Sequence, residues 1–273
     1  MPKIHPTAIV DPDARLADGV IVGAHCIVES DVTLGEGTEL RSHVVVRSHT
    51  TLGKGNLVDP FTVIGGEPQD LKFDPATVTY VRIGDNNVFR EGVTVSRATH
   101  EGGATVIGSD TYWMTQAHIG HDATVEDRCI LTNNAGVGGH AIVCQRAILS
   151  AHVLIHQFTW VGEMVMTQGH SGASAHVPPY TLLARINYLV GLNAVGLRRA
   201  QDISDEDRRQ IKEAFSLTYQ AGLSPAQALE RMDDWADMTP AAAKFREFVR
   251  KVITAERPFN RGLCPYRPDR RRG

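Results

Sequence analysis

The stretch LADGVIVGAHCIVESDVTL, residues 16–34, carries an aliphatic side chain at every sixth position. The same spacing extends in both directions: eleven apolar anchors in steps of six from Ile4 to Ile64, then Ile83, Phe89 and Val95, and ten more in steps of six from Ile107 to Val161. A period of six matches neither the 3.6 residues of a helical turn nor the two-residue alternation of a single strand. It predicts a short strand followed by a corner, repeated many times.

Three such units close a triangular coil, so that residues 18 positions apart stack on strands about 4.8 Å from each other. Small or β-branched residues suit the tightly packed inner corners, and they follow the first anchors by four positions at Ala8, Ala14, Val20, Cys26, Val32 and Thr38. The sequence therefore predicts a mainly β fold, a parallel β-helix over residues 1–190. Two polar, turn-rich interruptions, residues 65–82 and 96–106, are expected to leave the coil as loops.

From Ser204 onward the apolar spacing becomes helical. Ser204 begins a capping-box pattern, and Pro225 and Pro240 each follow a hydroxyl residue and suit a first helical position. We therefore expect a small C-terminal α-helical domain over residues 191–256. Residues 257–273 hold six arginines against one aspartate, interleaved with prolines, and are expected to form a flexible basic tail.

The composition is that of a globular chain. Hydrophobic residues make up 42% of the 273 residues, charged residues 22%, and the net charge is −3. No apolar run approaches the length of about 18 residues that a membrane-spanning helix needs. The four cysteines are far apart and the sequence start shows no secretory pattern, so we expect a cytoplasmic protein with reduced thiols. We expect no nucleic-acid partner, no metal and no cofactor.

Histidines concentrate along one edge of the predicted coil. The predicted stacking of coils forms two columns of residues at one corner. The first contains His121, Gly139 and Gln157, and the second contains Asp122 and His140. Two more histidines, His118 and His156, lie beside this corner. An imidazole that is neutral near physiological pH can act as a general base. Asp122 is placed to orient the ring of His121 and to stabilise it when it is protonated.

Gly139, directly above His121 in the predicted stack, offers a backbone N–H that no side chain shields. Such a donor can face a developing oxyanion. A base and an oxyanion donor at one corner indicate acyl transfer, in which the base activates a substrate hydroxyl or amine directly. Two other hypotheses stay open. One is a zinc hydratase of the carbonic anhydrase type with His118, His121 and His140 as ligands, and the other is a non-catalytic solenoid that serves as an interaction surface.

Ten short segments occur in an order that is typical of one family: HPTAIV, LGEGTELRSHVVV, QDLKF, IGSD, AHIGHD, RCILTNNA, GGH, HQF, HSGAS and VPPY. On these segments the chain resembles the UDP-N-acetylglucosamine 3-O-acyltransferases, which catalyse the first step of lipid A synthesis. The resemblance is strong over about residues 4–200 and extends to the length and character of the helical region. It implies a left-handed coil, a homotrimer with sites between subunits, and an acyl donor carried on acyl carrier protein.

The resemblance also implies a role for individual residues. His121 matches the general base that removes the proton of the sugar 3-hydroxyl, Asp122 would orient it, and Gly139 matches the oxyanion donor. The other matches are substrate-binding positions: Asp70 and Lys72 in the first loop, His118, His140, His156 and Gln157 along the sugar, phosphate and pantetheine edge, Asn193 and Arg199 near the helical domain, and Gly169 at the acyl groove.

Three positions bear on the choice of substrate. Gly169 has no side chain to close the groove, which implies a long 3-hydroxyacyl chain. Ser96 stands where the family often carries histidine, and Ala200 shortens the basic cluster after Arg199. A 3-amino sugar nucleotide or a different acyl donor fits the same base and oxyanion donor.

Overall fold

The computed structural model describes residues 1–268 of the chain. This part contains 28 short strands, β1 to β28, and four helices, α1 to α4. Consecutive strands enter three different sheets in turn, and every third strand returns to the same sheet, so that three sheets form the sides of a triangular prism. In the regular coils each strand pairs in parallel with its counterpart one full turn later, as Ile27 pairs with Val45. The predicted winding is therefore confirmed.

Each sheet follows the axis of the prism, and its strands succeed one another in the order below. The first sheet contains β1 (Lys3–Ile4), β4 (Ile21–Val22), β7 (Glu39–Leu40), β10 (Leu57–Val58), β13 (Val88–Phe89), β16 (Tyr112–Trp113), β19 (Ile130–Leu131), β22 (Ile148–Leu149), β25 (Met166–Thr167), β27 (Thr181–Ala184) and β28 (Tyr188–Leu192). The second contains β2 (Ile9–Val10), β5 (Ile27–Val28), β8 (Val45–Val46), β11 (Val63–Gly66), β14 (Thr94–Ser96), β17 (His118–Ile119), β20 (Gly136–Val137), β23 (Leu154–Ile155) and β26 (Gly172–Ala173). The third contains β3 (Arg15–Leu16), β6 (Thr33–Leu34), β9 (Thr50–Leu52), β12 (Tyr80–Ile83), β15 (Ala104–Ile107), β18 (Thr124–Val125), β21 (Ile142–Val143) and β24 (Trp160–Val161).

The six-residue anchors fill the interior of the prism. Every anchor from Val22 to Val161 is buried in one continuous hydrophobic cluster. The largest of them, Trp113, stacks on Phe89 of the coil before it with ring centroids 5.7 Å apart. Because each coil buries its anchors against its neighbours, the outward-facing positions are left available for other chemistry.

The corners of the prism use an unusual backbone conformation. Residues at every sixth position over long stretches have a positive φ, among them Asp122 and His140, each at 59°. Asp, Asn and His tolerate this left-handed conformation better than most other residue types. The corner conformation therefore helps to explain why Asp122 and His140 stand where they do.

The two interruptions leave the coil, but both connections are shorter than the ranges 65–82 and 96–106 given by the sequence pattern. Residues 67–79 connect β11 to β12, and residues 97–103 connect β14 to β15. Beyond Val161 the coil continues through β25, β26 and β27, and β28 then folds back antiparallel to β27.

Four helices follow the coil in the described part of the chain: α1 (Ala194–Arg199), α2 (Asp205–Tyr219), α3 (Pro225–Asp233) and α4 (Pro240–Ile253). The three predicted helix starts are confirmed, and Ser204 and Ser224 both form complete capping boxes. The short helix α1 was not predicted. The helices pack on one another and on Met164 and Tyr180 of the coil. None of the helices in residues 1–268 is long and apolar enough to span a membrane.

The prediction of a flexible tail from residue 257 is wrong for residues 257–268. Cys264 is fully buried, and Leu263 and Tyr266 form parallel bridges with His176 and Leu189 of the coil. Phe259 stacks on Trp160 at 5.1 Å. Apolar packing and backbone hydrogen bonds, such as that from the Cys264 N–H to the His176 carbonyl, therefore hold this segment on the coil. Residues 269–273 lie outside the described range.

Candidate active site

The register of the second sheet brings His121 and Gly139 together. His118 pairs with Gly136 and Ile119 with Val137, so the next corner stacks His121 directly below Gly139. The contact is so close that a Cβ atom on residue 139 would lie 2.6 Å from Cε1 of His121. The predicted stacking is confirmed, and any side chain at position 139 would displace the imidazole of His121.

His121 and Asp122 form a hydrogen-bonded pair. Nδ1 of His121 lies 2.8 Å from Oδ2 of Asp122, and the two side chains are 16% and 4% exposed. An ionised carboxylate only accepts hydrogen bonds, so Nδ1 carries the proton and Nε2 is the basic nitrogen of the neutral ring. The pair therefore presents a proton acceptor next to Gly139.

The N–H of Gly139 is free to bind a substrate atom. It donates no hydrogen bond to any group in residues 1–268, whereas the following residue, His140, donates its N–H to the carbonyl of His121. An uncommitted backbone donor beside a base is the arrangement that stabilises an oxyanion during acyl transfer.

A cavity of about 720 Å³ opens over this corner. Its floor is built from glycines that carry no side chain to fill it: Gly120, Gly136, Gly138, Gly139 and Gly172. Of the predicted site residues, His118, His121, Gly139, His156 and Gln157 line the cavity. Sequence reasoning missed most of the glycine floor, although the stacking of Gly120 below Gly138 in the predicted register was a signal that could have revealed it.

Two further histidines, His118 and His140, lie near His121. His118 contacts Oγ1 of Thr94 through Nδ1 at 2.8 Å, and the ring of His140 stacks on Phe158 at 4.5 Å and lies 5.2 Å from that of His121. Burial lowers the pKa of both His118 and His140, and for His140 the carboxylates of Asp122 and Asp70 oppose this effect in part. Both rings are therefore mainly uncharged at neutral pH.

Comparison with known proteins shows the family of this chain. The chain is 42% identical over 263 residues to the acyl-[acyl-carrier-protein]--UDP-N-acetylglucosamine O-acyltransferase of Stenotrophomonas maltophilia (strain R551-3), covering 95% of this chain and 98% of that protein. It is 45% identical to the protein of the same name from Ectopseudomonas mendocina (strain ymp), covering 91% and 96%. This chain belongs to the UDP-N-acetylglucosamine O-acyltransferase family.

Solved structures and family models agree with this assignment. The UDP-N-acetylglucosamine acyltransferase of Francisella novicida superposes with a TM-score of 0.90 at 32% identity, covering 97% of this chain and 95% of that one. The Acinetobacter baumannii enzyme superposes with a TM-score of 0.88 at 34% sequence identity, covering 95% of this chain and 98% of that one. Residues 104–139 match the bacterial transferase hexapeptide model, and residues 176–264 match domain 2 of UDP N-acetylglucosamine O-acyltransferase. The fold of this acyltransferase is thus the left-handed parallel β-helix with a helical C-terminal region.

The structure of this acyltransferase also places groups around Asp122 that the sequence did not indicate. Thr99 donates to Oδ2 of Asp122 from Oγ1 at 2.7 Å and from its N–H at 3.1 Å, and Nδ1 of His100 lies 2.9 Å from Oδ1. The N–H of Asp122 donates to Oγ1 of Thr105 at 2.8 Å. Thr99 and His100 belong to the loop 97–103, for which the six-residue register gives no positions, whereas Thr105 lies in β15.

These contacts make the stability of this acyltransferase sensitive to acid. Burial alone raises the pKa of Asp122, but hydrogen bonds from His121 and Thr99 outweigh it and lower the pKa from 3.8 to about 2. The unfolded chain therefore binds the proton first as the pH falls. The stabilisation from the ionised carboxylate, about 2 kcal/mol, is fully present above about pH 4 and is lost between about pH 4 and pH 2.

Denaturant titrations of the wild type and Asp122→Asn test this expectation. The wild type should be the more stable protein at pH 7, and its advantage should shrink by about 2 kcal/mol as the pH is lowered to 2. A difference in unfolding free energy that stays constant over this range would show that the carboxylate titrates normally.

The first loop carries Asp70 and Lys72 in exposed positions. Oδ1 of Asp70 accepts a hydrogen bond from the Lys72 N–H at 2.9 Å, which shapes the turn at the loop tip. Gln69, next to this turn, lines the cavity. The loop thus brings this part of the QDLKF segment to the site, while both predicted side chains remain available for a ligand.

Three predicted residues lie away from the cavity. Gly169 lines a second cavity of about 460 Å³ together with Ser150 and Leu192. Asn193 caps α1 by accepting from the Gly196 N–H at 3.0 Å and donates to the Met164 carbonyl at 3.0 Å. Arg199 is exposed near the end of α1. Within one chain, therefore, these residues do not meet His121.

The structure does not assemble the three zinc ligands that the sequence suggested. In residues 1–268 only His121, Asp122 and His140 place potential metal-binding atoms within 4.8 Å of one another, and His118 is not among them. Oδ2 of Asp122 already accepts hydrogen bonds from His121 and Thr99. The triad of His118, His121 and His140 is not assembled within the chain.

Proposed function

We propose that this chain transfers a 3-hydroxyacyl group from acyl carrier protein to the 3-hydroxyl of UDP-N-acetylglucosamine, with His121 as the general base. The observation that carries the proposal is the His121–Asp122 pair, hydrogen-bonded at 2.8 Å and stacked below the free N–H of Gly139. The named relatives, acyl-carrier-protein-dependent O-acyltransferases, support the choice of donor and acceptor.

The reaction balances without an enzyme nucleophile. Nε2 of His121 accepts the proton of the 3-hydroxyl as the sugar oxygen attacks the thioester carbon. The negative charge that forms on the carbonyl oxygen is stabilised by the Gly139 N–H. When the C–S bond breaks, the imidazolium returns its proton to the departing thiolate, so that the base is regenerated.

Asp122 serves this cycle as a permanent negative charge. Because its pKa is lowered to about 2, the carboxylate stays ionised over the physiological range. It keeps the proton of neutral His121 on Nδ1 and stabilises the imidazolium after proton transfer. His140, which is 3.6 Å from Oδ2 of Asp122, borders the same carboxylate.

The remaining predicted residues are proposed to hold the two substrates. His118, His156 and Gln157 line the cavity beside the base, so they are placed to bind the sugar, phosphate and pantetheine groups. Asp70 and Lys72 would position the sugar from the first loop. Arg199 would bind the nucleotide phosphates through its positive charge, and Asn193 would lie nearby.

The site is proposed to be completed by a second subunit in a homotrimer. Leu154 and Ile186 line the cavity but are 66% and 61% exposed in one chain. Exposed apolar side chains at the rim of a polar site are typical of protein interfaces. A neighbouring subunit would cover them and would bring its own Gly169, Asn193 or Arg199 towards His121.

Gly169 is proposed to admit a long acyl chain. A Cβ atom there would have one near neighbour, the Ala151 carbonyl oxygen at 3.4 Å, so the position has room for a side chain that this enzyme does not place there. The glycine leaves the second cavity open.

The proposed function is tested by a screen of donors and acceptors with the purified full chain. Acyl carriers with 3-hydroxyacyl chains of graded length are combined with UDP-N-acetylglucosamine or with its 3-amino analogue. We expect an ester at the 3-position of UDP-N-acetylglucosamine, formed fastest with long chains. Exclusive use of the amino sugar would replace the proposed acceptor, and no transfer with any pair would contradict the function.

A further inference from the structure

The loop between β14 and β15, residues 97–103, approaches the His121–Asp122 pair from outside the coil. Thr99 places two donors on one carboxylate oxygen, its Oγ1 at 2.7 Å and its N–H at 3.1 Å from Oδ2 of Asp122. Nδ1 of His121 lies 2.8 Å from the same oxygen. The side chain of Asp122 is 4% exposed, so no bulk water competes for these positions.

We propose that Thr99 is a positioning residue for acyl transfer: it fixes the carboxylate of Asp122 so that Oδ2 faces Nδ1 of His121. This inference rests on the proposed role of His121 as the base. Thr99 itself acts through Asp122 and is not assigned a contact with substrate.

The need for such a residue follows from the geometry of a carboxylate. The terminal torsion of an aspartate side chain is soft, so a partial turn of the carboxylate can move Oδ2 out of line with Nδ1 of His121. Nδ1 of His100, 2.9 Å from Oδ1, attracts the other oxygen and does not by itself align Oδ2 with His121. The two donors of Thr99 on Oδ2 favour the orientation of the carboxylate in which Oδ2 accepts the hydrogen bond from Nδ1 of His121.

The main chain of Asp122 is held separately from its side chain. Its N–H donates to Oγ1 of Thr105 at 2.8 Å, and its φ of 59° is the corner conformation of the coil. Loss of the Thr99 hydroxyl therefore leaves the backbone in place and affects mainly the direction of the carboxylate.

The loop that contains Thr99 also forms hydrogen bonds with the first loop, which carries Asp70 and Lys72. Arg97 donates to the carbonyls of Thr77 at 2.9 Å and Pro75 at 3.2 Å, and the N–H of Gly102 donates to the Val78 carbonyl at 2.9 Å. Residues 97–103 thus link the loop that carries Asp70 and Lys72 to the carboxylate of Asp122. Arg97 and Thr99 are separated by a single residue, which makes this link short.

Thr99→Val removes the hydroxyl and keeps the shape of the side chain, and Thr99→Ser keeps the hydroxyl. We expect Thr99→Val to lower kcat about tenfold because the base is misdirected. The KM of each substrate should stay within about twofold. The melting temperature should lie a few degrees below that of Thr124→Val, a control on the outer face of β18, because one hydrogen bond to the carboxylate of Asp122 is lost. Thr99→Ser should restore most of the lost kcat.

A double-mutant cycle separates a role through Asp122 from any other role. In an Asp122→Asn background, Thr99→Val should lower kcat by less than about twofold, because the residue through which it acts has been changed. A full tenfold loss in that background, or unchanged kcat in the single variant, would overturn the proposal. If Thr99→Val is silent while His121→Ala is inactive, only this inference fails; an active His121→Ala enzyme would remove the proposed base and this inference with it.

Discussion

Replacement of His121 by alanine is expected to lower kcat by about a hundredfold to ten-thousandfold, the usual contribution of a general base. The cavity, the Gly139 N–H and the substrate-binding residues would all remain, so the KM values should change far less than kcat. Steady-state assays of the full chain with acyl carrier protein substrates measure both quantities.

A matched histidine shows whether the effect is specific. His25 also lies at a corner of the coil, where it stacks on His43 at 5.0 Å, but it belongs to the N-terminal coils and has no place in the site. His25→Ala should retain normal kcat. A loss of less than about tenfold in His121→Ala would contradict the general-base role, and full activity in that variant would show that a group other than His121 acts as the base.

Replacement of Gly139 by alanine is expected to cost about a hundredfold in kcat, near the cost of losing an oxyanion donor. The added Cβ would lie 2.6 Å from Cε1 and 2.8 Å from Nε2 of His121, which is closer than non-bonded atoms approach. The imidazole must move, and with it both the base and its alignment with the oxyanion donor.

Gly66→Ala is the appropriate control for this variant. A Cβ at residue 66 would meet only the Val95 carbonyl oxygen at 3.8 Å, an ordinary contact. Its kcat should stay close to that of the wild type. If Gly139→Ala were as active as Gly66→Ala, the close stacking of residue 139 on His121 would not contribute to catalysis.

The central part of the site could be predicted from the sequence because the coil has a constant register. In parallel strands that repeat at a fixed interval, the neighbour of any side chain follows from counting, so the stacking of His121 on Gly139 was accessible without coordinates. The pairing of Asp122 with His121 was accessible for the same reason, since adjacent residues at a corner stay adjacent in space.

Residues outside the register could not be placed in this way. Thr99 and His100 lie in a loop whose path is set by long-range hydrogen bonds, and their contacts with Asp122 join positions that are distant in the sequence. The segment that includes Phe259 was misjudged because its charges and prolines dominate the local pattern. Its packing on Trp160 depends on a partner that lies far earlier in the chain.

The left-handed corners have a consequence for how such a molecule acquires chemistry. Histidines with positive φ occur at corners far from one another along the prism, including His25, His43, His49, His140, His152 and His170. Asp, Asn and His tolerate this conformation better than most other residue types. The scaffold thus displays titratable groups along its vertices at a comparatively low conformational cost, and a new reactive centre can arise on another turn by exchanging side chains while the main chain stays as it is.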